Sequence, residues 1–269
     1  MKRLVRWAYL AVIAGLTVYL LVPTIVVAMA SISPSSMLTF PPSGFSLKWY
    51  ANFLTREEFV SSFLISLGLA TSVGLFATML AILVAMAIQH YAPSVRRAII
   101  GAALTPLILP TIVFGPALLM LAADLQLTRS MVPTLIVLGG AHLILTLPFA
   151  IQICVTDYAG LDRAYEEAGA ISGASRRKIF LRIVVPLMVP SILASLMFCF
   201  LTSFDEPVAA LFLSRHDLVT LPVRIFTYLR FRPDPTIAAI STVASAMALA
   251  AILVIDRLIG LDRVFGLRR

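Results

Sequence analysis

Two adjacent carboxylates, Asp205 and Glu206, lie between two apolar runs and are the side chains of this sequence best placed to attract a cation. An Asp at the centre of a membrane span costs about 2.5–3.5 kcal/mol on insertion scales. A carboxylate kept at that depth usually faces a cavity and marks the path of an ion or a charged solute. The pair therefore predicts a cation path. The alternative is that the span ends at Phe204 and that both carboxylates face water, where they cap the following turn.

Three other features are candidates for the same path. Ser203 and Phe204 come directly before the carboxylates, and His142 lies inside a separate apolar run. A lone His in such a run is more often a hydrogen-bonded packing residue than a ligand. Pro110, with neighbouring prolines and a glycine, is expected to kink its helix and to free carbonyl groups toward a cavity, although packing explains it equally well. The candidate path residues are Ser203, Phe204, Asp205, Glu206, His142 and Pro110.

The sequence shows no group of residues suited to catalysis or to metal binding. Its three His residues are far apart, and both Cys residues lie in apolar stretches without the spacing of metal ligands. The sequence also lacks a Gly-x-x-x-x-Gly-Lys-Ser/Thr loop, which would cradle a nucleotide. We therefore expect that this chain is not an enzyme and that it binds neither a metal ion nor a cofactor.

The composition places most of the chain in a lipid bilayer. The residues are 60% hydrophobic and 13% charged, whereas soluble domains have roughly 45–50% apolar and about 25% charged residues. The net charge of +8 could indicate a nucleic-acid partner. We do not expect one, because the basic residues lie between apolar runs and form no continuous patch with interleaved aromatic residues.

Six apolar stretches are long enough to cross a membrane, which takes about 20 residues. Helices are the expected form, because a span in lipid must satisfy its backbone hydrogen bonds internally. The first stretch exceeds the about 7–15 residues of a signal-peptide core, so we expect it to be a retained helix. The sequence predicts an all-α membrane protein with six transmembrane helices at about 8–30, 59–88, 98–122, 131–155, 187–204 (with an apolar extension to 213) and 236–255.

The distribution of Lys and Arg predicts the orientation of these spans, because cytoplasmic segments are enriched in basic residues. With the N-terminus inside, the cytoplasmic segments hold fourteen of the 21 basic residues and the outer segments hold seven. We therefore expect both termini in the cytoplasm, an outer segment at about 31–57 and a cytoplasmic loop at about 156–186. The segment at about 214–235 carries four Arg among apolar residues, so we expect it to be partly inserted on the outer side.

The cytoplasmic loop is polar and rich in Arg, and its sequence predicts two short helices. Asp162 can cap the first helix, and Gly173 suits the left-handed residue at its end. Ser175 can cap the second helix, and Pro186 can begin the next span. By composition alone, the loop could equally be an amphipathic hairpin that lies on anionic lipid. The apolar side of the first helix consists of Ala164, Tyr165, Ala168 and Ile171, with Glu166 and Glu167 beside it.

The spacing in this loop resembles the coupling-loop motif of ABC-importer permeases, in which Glu-Ala-Ala is followed by Gly and then by Ile-x-Leu-Pro. Gly169 stands where the motif has its second Ala, and Val185 stands where it has Leu. The segments at 44–53, 202–206 and 220–226 are similar to the spermidine/putrescine importer permeases. The matching loop residues are Glu167-Ala168-Gly169, Gly173 and Ile183-Val184-Val185-Pro186.

The resemblance implies the type I ABC-importer permease fold, with residues 1–269 as a single transmembrane permease domain in a bacterial inner membrane. It also implies that a helix of the cytoplasmic loop sits in a groove of an ATPase subunit. A short helix docked in this way can transmit rigid-body motion to the spans. The coupling residues that the resemblance implies are Glu166, Glu167, Ala168, Gly169, Ala170, Ile171, Gly173 and Pro186.

The resemblance further implies the partners of this chain. They are two cytoplasmic ATPase subunits, which would bind ATP and Mg, a second, homologous permease chain, and a periplasmic substrate-binding protein. The implied solute is a polyamine, moved by alternating access. Importers of ferric iron, phosphonate or opine are the alternative with the same machinery. A membrane scaffold or regulator whose loop binds lipid is an alternative from another class.

Overall fold

The computed structural model describes residues 2–89, 93–231 and 234–259, and most of these residues are helical. The prediction of an all-α protein is confirmed. A 3-10 turn (Thr105–Ile108) follows α4, and a π-helical turn (Phe180–Val184) separates α8 from α9. The α-helices are α1 (Lys2–Ser31), α2 (Lys48–Thr55), α3 (Glu57–Gln89), α4 (Pro93–Leu104), α5 (Thr111–Asp124), α6 (Met131–Gly160), α7 (Ala164–Ile171), α8 (Arg176–Ile179), α9 (Val185–Leu187), α10 (Val189–Phe204), α11 (Val208–Leu213), α12 (Leu221–Phe231) and α13 (Thr236–Ile259).

Within the described residues, four helices are each long and apolar enough to cross a membrane, namely α1, α3, α6 and α13. Two pairs qualify only if each bent pair counts as one span: α4 with α5, and the segment from α8 to α9 with α10. The six predicted spans thus correspond to four continuous helices and two broken ones. Part of the basic charge that predicts the orientation, at 263–269, lies outside the described residues.

The third predicted span is two helices and not one, and its expected kink is a sharp break. The axes of the two helices differ by 92°. Leu109 and Pro110 lie between them in extended conformation, with ψ of 126° and 124°. A proline disfavours helical backbone at the preceding residue and has no N–H to donate. The break therefore follows from Pro110.

The fifth predicted span begins earlier than expected, and Pro186 lies within it and not at its start. The helical segment begins at Arg176, passes through the π-helical turn and bends by 69° at Met188 before α10. Pro186 and Pro190 flank the bend, and each lacks the N–H that a continuous helix would use. The apolar extension to 213 is a separate helix, α11.

One compact unit comprises residues 1–61 and 224–249. The chain between α1 and α2 folds back as an ordered strap. The Ser46 N–H donates to the Ile32 carbonyl, and the Trp49 indole donates to the Ser33 carbonyl, both at 2.7 Å. Helix α1 is exposed along its apolar length within this chain. The segment at 31–57, which we expect on the outer side, thus has defined structure and is held by hydrogen bonds to its own backbone carbonyls.

A polar network ties α2 to the neighbouring ends of α12 and α13 in this unit. Asn52 donates to Thr236 (2.7 Å) and accepts from Arg56 (2.9 Å). Arg56 also donates to the Tyr228 hydroxyl at 3.3 Å. Partial burial, together with the hydrogen bond that Tyr228 donates to Asp234 (2.7 Å), raises the pKa of the Tyr228 hydroxyl. The network joins parts of the unit that are far apart in sequence.

The other compact unit comprises residues 62–223 and 250–269. Helices α6 and α10 pack against each other, and the rings of Phe149 and Phe198 lie 4.9 Å apart between them. Helix α11 packs on α5, where Phe212 covers Gly115 so closely that a Cβ on the glycine would lie 2.6 Å from the ring. This unit also contains α7, α8 and the bend at Met188.

The segment expected to be partly inserted begins in this second unit. Arg215 and Leu218 close a tight turn through two backbone hydrogen bonds of 3.0 and 3.2 Å. Leu218 and Leu221 are fully buried, and the Leu221 N–H donates to Ser66 of α3 at 2.7 Å. The first half of the segment is therefore packed protein and not a free loop, while residues 232 and 233 lie outside the described residues.

Candidate functional site

The first helix of the loop predicted to be cytoplasmic, α7, begins as predicted. The Ala164 N–H donates to Oδ1 of Asp162 at 2.9 Å, which satisfies one of the N–H groups left free at a helix start. Glu166 and Glu167 lie in the first turn, where the positive end of the helix dipole favours negative charge. Local hydrogen bonding therefore places both Glu side chains at a defined end of α7.

Gly173 ends α7 in the left-handed conformation, with φ of +74°. The Gly173 N–H donates to the Ala170 carbonyl (3.0 Å), and the Ala174 N–H donates to the Gly169 carbonyl (3.1 Å). These two bonds form a Schellman motif, which satisfies the last carbonyl groups of the helix. The predicted backbone conformation of Gly173 is confirmed, and it turns the chain directly into the second helix.

The second helix packs closely against α7. Ser175 caps it by accepting from the Lys178 N–H at 3.4 Å, as predicted. Ile179 and Ile183 lie over Gly169, and a Cβ at residue 169 would come within 3.0 Å of a side-chain carbon of each. This close approach gives a physical reason for glycine at the position where the coupling-loop motif has Ala.

One face of α7 has no partner among the described residues of this chain. Tyr165 is 56% exposed and Ile171 is 88% exposed, and Ala164 and Ala168 on the same face are exposed as well. Exposed apolar side chains grouped on a rigid helix are typical of a contact surface. We call these four residues the coupling face.

The opposite side of α7 is held by the membrane helices. Glu166 is half-buried, and its Oε1 accepts from the Tyr158 hydroxyl of α6 at 3.1 Å. A cavity of about 560 Å³ lies beside this contact and is lined by Tyr158, Glu166, Glu167, Arg176 and apolar residues of α3. Helix α7 is thus fixed to α6 on one side and open to solvent on the other.

Of the candidate path residues, the structure brings His142 and Ser203 together. Nδ1 of His142 lies 2.9 Å from Oγ of Ser203, and both residues are buried. Nε2 of His142 is buried without a hydrogen-bond partner among the described residues. Phe204 packs edge-on against Phe63, with ring centroids 6.0 Å apart. Pro110 is exposed at the break in the third span, on a different element.

The two carboxylates differ in environment. Asp205 is exposed and directly follows α10, which ends at Phe204. Glu206 is half-buried, and its Oε1 accepts from the N–H groups of Val208 (2.8 Å) and Ala209 (3.1 Å). Glu206 therefore caps α11, as the alternative interpretation of the sequence expected. Its role in a solute path stays a prediction, as does that of Asp205.

Sequence reasoning missed two residues at the end of α6, Asp157 and Tyr158. Oδ2 of Asp157 accepts from the Ser191 hydroxyl of α10 at 2.7 Å. The signal that could have found them is a repeat of small polar residues every four positions along α10, which marks the polar side of a buried helix. Within the described residues, no three His, Cys, Asp or Glu side chains are grouped so that they could hold a metal ion.

The fold and the loop define a helical membrane protein with a short, capped helix between two of its spans. Residues 77–261 match the family described as the binding-protein-dependent transport system inner membrane component, and this chain belongs to that family. It is therefore a multi-pass inner-membrane permease subunit of an ABC importer, which acts with a binding protein and an ATPase. The family is a non-catalytic transport subunit, and ATP is bound by the partner ATPase.

The proteins to which this chain is similar are also transport permeases or ABC transporters. The chain is 26% identical over 246 residues to the putrescine transport system permease protein PotI of Escherichia coli (strain K12), which covers 88% of this chain and 85% of PotI. It is 26% identical over 241 residues to the spermidine/putrescine transport system permease protein PotC of the same strain, covering 90% and 88% of the two chains. A bacterial ABC transporter involved in the import of the acidic polysaccharide alginate has the same fold, with a TM-score of 0.70 at 15% identity over 96% of this chain and 97% of that chain.

Proposed function

We propose that α7 is the element through which this permease is driven by its ATPase partner. The observation that supports this most directly is the coupling face. Its apolar side chains are exposed on a capped helix within a polar loop, where a partner protein would bury them. In this proposal residues 1–269 form one permease domain, with 156–186 in the cytoplasm and with 31–57 and 214–235 on the outer side. Two ATPase subunits and a second, homologous permease chain complete the complex.

The test of this role is the substitution Ile171→Asp. Ile171 is exposed, so its replacement leaves the fold of α7 intact. Burial of an Ile side chain contributes about 1.5–3 kcal/mol, so its loss should weaken ATPase binding by roughly 10- to 150-fold. The measurement is co-purification of the ATPase subunit with the permease, followed by ATP-driven uptake in proteoliposomes.

A matched control is Phe231→Asp, because Phe231 is similarly exposed but lies on α12. It should retain the ATPase subunit. If Ile171→Asp binds the ATPase as tightly as the unchanged chain does, the coupling role of α7 is wrong.

We further propose that the solute is a polyamine. The support is the similarity to PotI and PotC, which extends over 88% and 90% of this chain. By contrast, the diacetylchitobiose uptake system permease DasC of Streptomyces coelicolor matches only 42% of the chain. The exposed carboxylate of Asp205 after α10 fits the positive charges of a polyamine.

The assay for the solute is uptake of labelled putrescine and spermidine by the assembled importer. Asp205→Asn should lower the uptake rate by roughly 10- to 150-fold, because the interaction of a cation with a carboxylate contributes on the order of 1.5–3 kcal/mol. Asp124→Asn is the control, since Asp124 is also an exposed carboxylate at a helix end. Uptake of ferric iron, a phosphonate or an opine, with no uptake of polyamines, would replace the solute and leave the coupling proposal standing.

A further inference from the structure

Helices α6 and α10 meet along two rows of mostly buried polar residues. On α10 these residues recur every fourth position, so they form one stripe along the helix. On α6 the corresponding residues also lie on one side, at spacings of four, eight and three. We call the two rows together the polar seam. It consists of Ser191, Ser195, Cys199 and Ser203 on α10 and of His142, Thr146, Cys154 and Asp157 on α6.

Contacts across the polar seam fix the register of the two helices. His142 pairs with Ser203 (2.9 Å), Cys199 donates to the Thr146 carbonyl (3.6 Å), and Ser191 donates to Asp157 (2.7 Å). Residues later in α6 pair with residues earlier in α10, so the two helices are antiparallel. All but Asp157 of the residues in the polar seam are buried, and Asp157 is half-buried.

These pairs matter because apolar contacts alone hold helices together weakly in lipid. Lipid tails are as apolar as Leu, so association depends on close packing and on hydrogen bonds between helices. A shift of one helix along the other would break several buried hydrogen bonds at once. The α6–α10 pair is therefore expected to move as one body.

The polar seam ends at Asp157, and the next residue along α6, Tyr158, has a different partner. Asp157 bonds to Ser191 of α10, and Tyr158 bonds to Glu166 of α7. Tyr158 is buried, and its hydroxyl donates to Glu166 beside the cavity that both residues line. The last turns of α6 thus contact both α7, which carries the coupling face, and α10.

We propose that Asp157 and Tyr158 form a junction that transmits displacement of α7 to α6 and α10 together. The inference rests on the proposed coupling role of α7. In this arrangement Tyr158 is a positioning residue, since it contacts neither the solute nor the ATPase. Through the hydrogen bond between Tyr158 and Glu166, a displacement of α7 displaces α6. Through the hydrogen bond between Asp157 and Ser191, α10 moves together with α6.

The first test removes one oxygen atom, with Tyr158→Phe. The assembled importer should still contain the ATPase subunit, but the number of solute molecules moved per ATP should fall about fivefold, the lower end of the usual range for coupling between sites. Glu166→Ala removes the acceptor of the same hydrogen bond, so it should lower the ratio as Tyr158→Phe does. The double variant should be no worse than either single loss, because both remove the same hydrogen bond.

The second test replaces the other bond of the junction by a covalent one. Asp157→Cys with Ser191→Cys, in a chain that also has Cys154→Ala and Cys199→Ala, should transport poorly when reduced. Oxidation to a disulfide should restore transport, because it reattaches α6 to α10. The chain with the two Ala substitutions alone is the control and should not respond to oxidation.

The outcomes separate this inference from the proposed function. Loss of the ATPase subunit in Ile171→Asp, with an unchanged transport ratio in Tyr158→Phe, would refute the junction and keep the coupling face. A disulfide that abolishes transport would show that α6 and α10 must slide, which also overturns the junction. Retention of the ATPase by Ile171→Asp would instead refute the coupling role itself.

Discussion

The Schellman turn at Gly173 gives the sharpest prediction for the loop. Gly173 has φ of +74°, and a Cβ at this position would meet no heavy atom within 4 Å. Gly173→Ala therefore adds no clash, and its whole effect is the cost of left-handed backbone in an L-residue, about 1–2 kcal/mol. Since 1.4 kcal/mol is a factor of ten, the end of α7 should open roughly 5- to 30-fold more often.

Hydrogen exchange measures this opening directly. The amides of residues 172, 173 and 174 donate to carbonyls of α7, so their exchange should accelerate by that factor. Transport per ATP should fall as α7 loses its fixed end. Gly173→Asn should have a smaller effect, because Asn tolerates the left-handed region better.

Gly160→Ala is the matched control for this substitution. Gly160 ends α6, has no positive φ, and would also accept a Cβ without a contact. It should leave the exchange of the loop amides unchanged. If Gly173→Ala exchanges no faster than Gly160→Ala, the turn does not depend on glycine and the account of the loop is wrong.

Two further substitutions test the packing around the broken spans. Gly115→Ala should lower thermal stability by about 1–3 kcal/mol, because its Cβ would lie 2.6 Å from the Phe212 ring, whereas Gly101→Ala meets open space and should not. Glu206→Ala should cost about 0.5–2 kcal/mol in thermal unfolding through loss of the cap on Val208, whereas Glu206→Gln keeps the acceptor. Equal loss of uptake in the Ala and Gln variants, with stability retained in the Gln variant, would indicate that the charge of Glu206 acts in transport and that capping is not its only role.

The loop was the part of this protein most open to prediction. The caps at Asp162 and Ser175 and the left-handed Gly173 were all expected, and all are confirmed. Each depends on hydrogen bonds between residues two to five positions apart, so a short stretch of sequence contains both partners. The family follows from the same stretch, since spacing within the loop carries the resemblance.

The sequence predicted where the spans lie, but it did not predict which of them are broken into two helices. Apolar length located the four continuous spans and, less closely, both bent pairs, because transfer into lipid depends on composition over about 20 residues. The 92° break at Pro110 and the 69° bend at Met188 were not expected in that form. A proline makes a break possible, but packing against neighbouring helices decides how far the chain turns.

The contacts between distant helices, on which the proposed junction rests, lay beyond the sequence. Helical periodicity, apolar length and the loop motif were enough to identify a permease subunit and to predict the helices of its loop. The pairing of His142 with Ser203, and of Asp157 with Ser191, joins residues 61 and 34 positions apart. Such pairs exist only once α6 and α10 are packed in one register, because no local rule states which faces of two distant helices will meet.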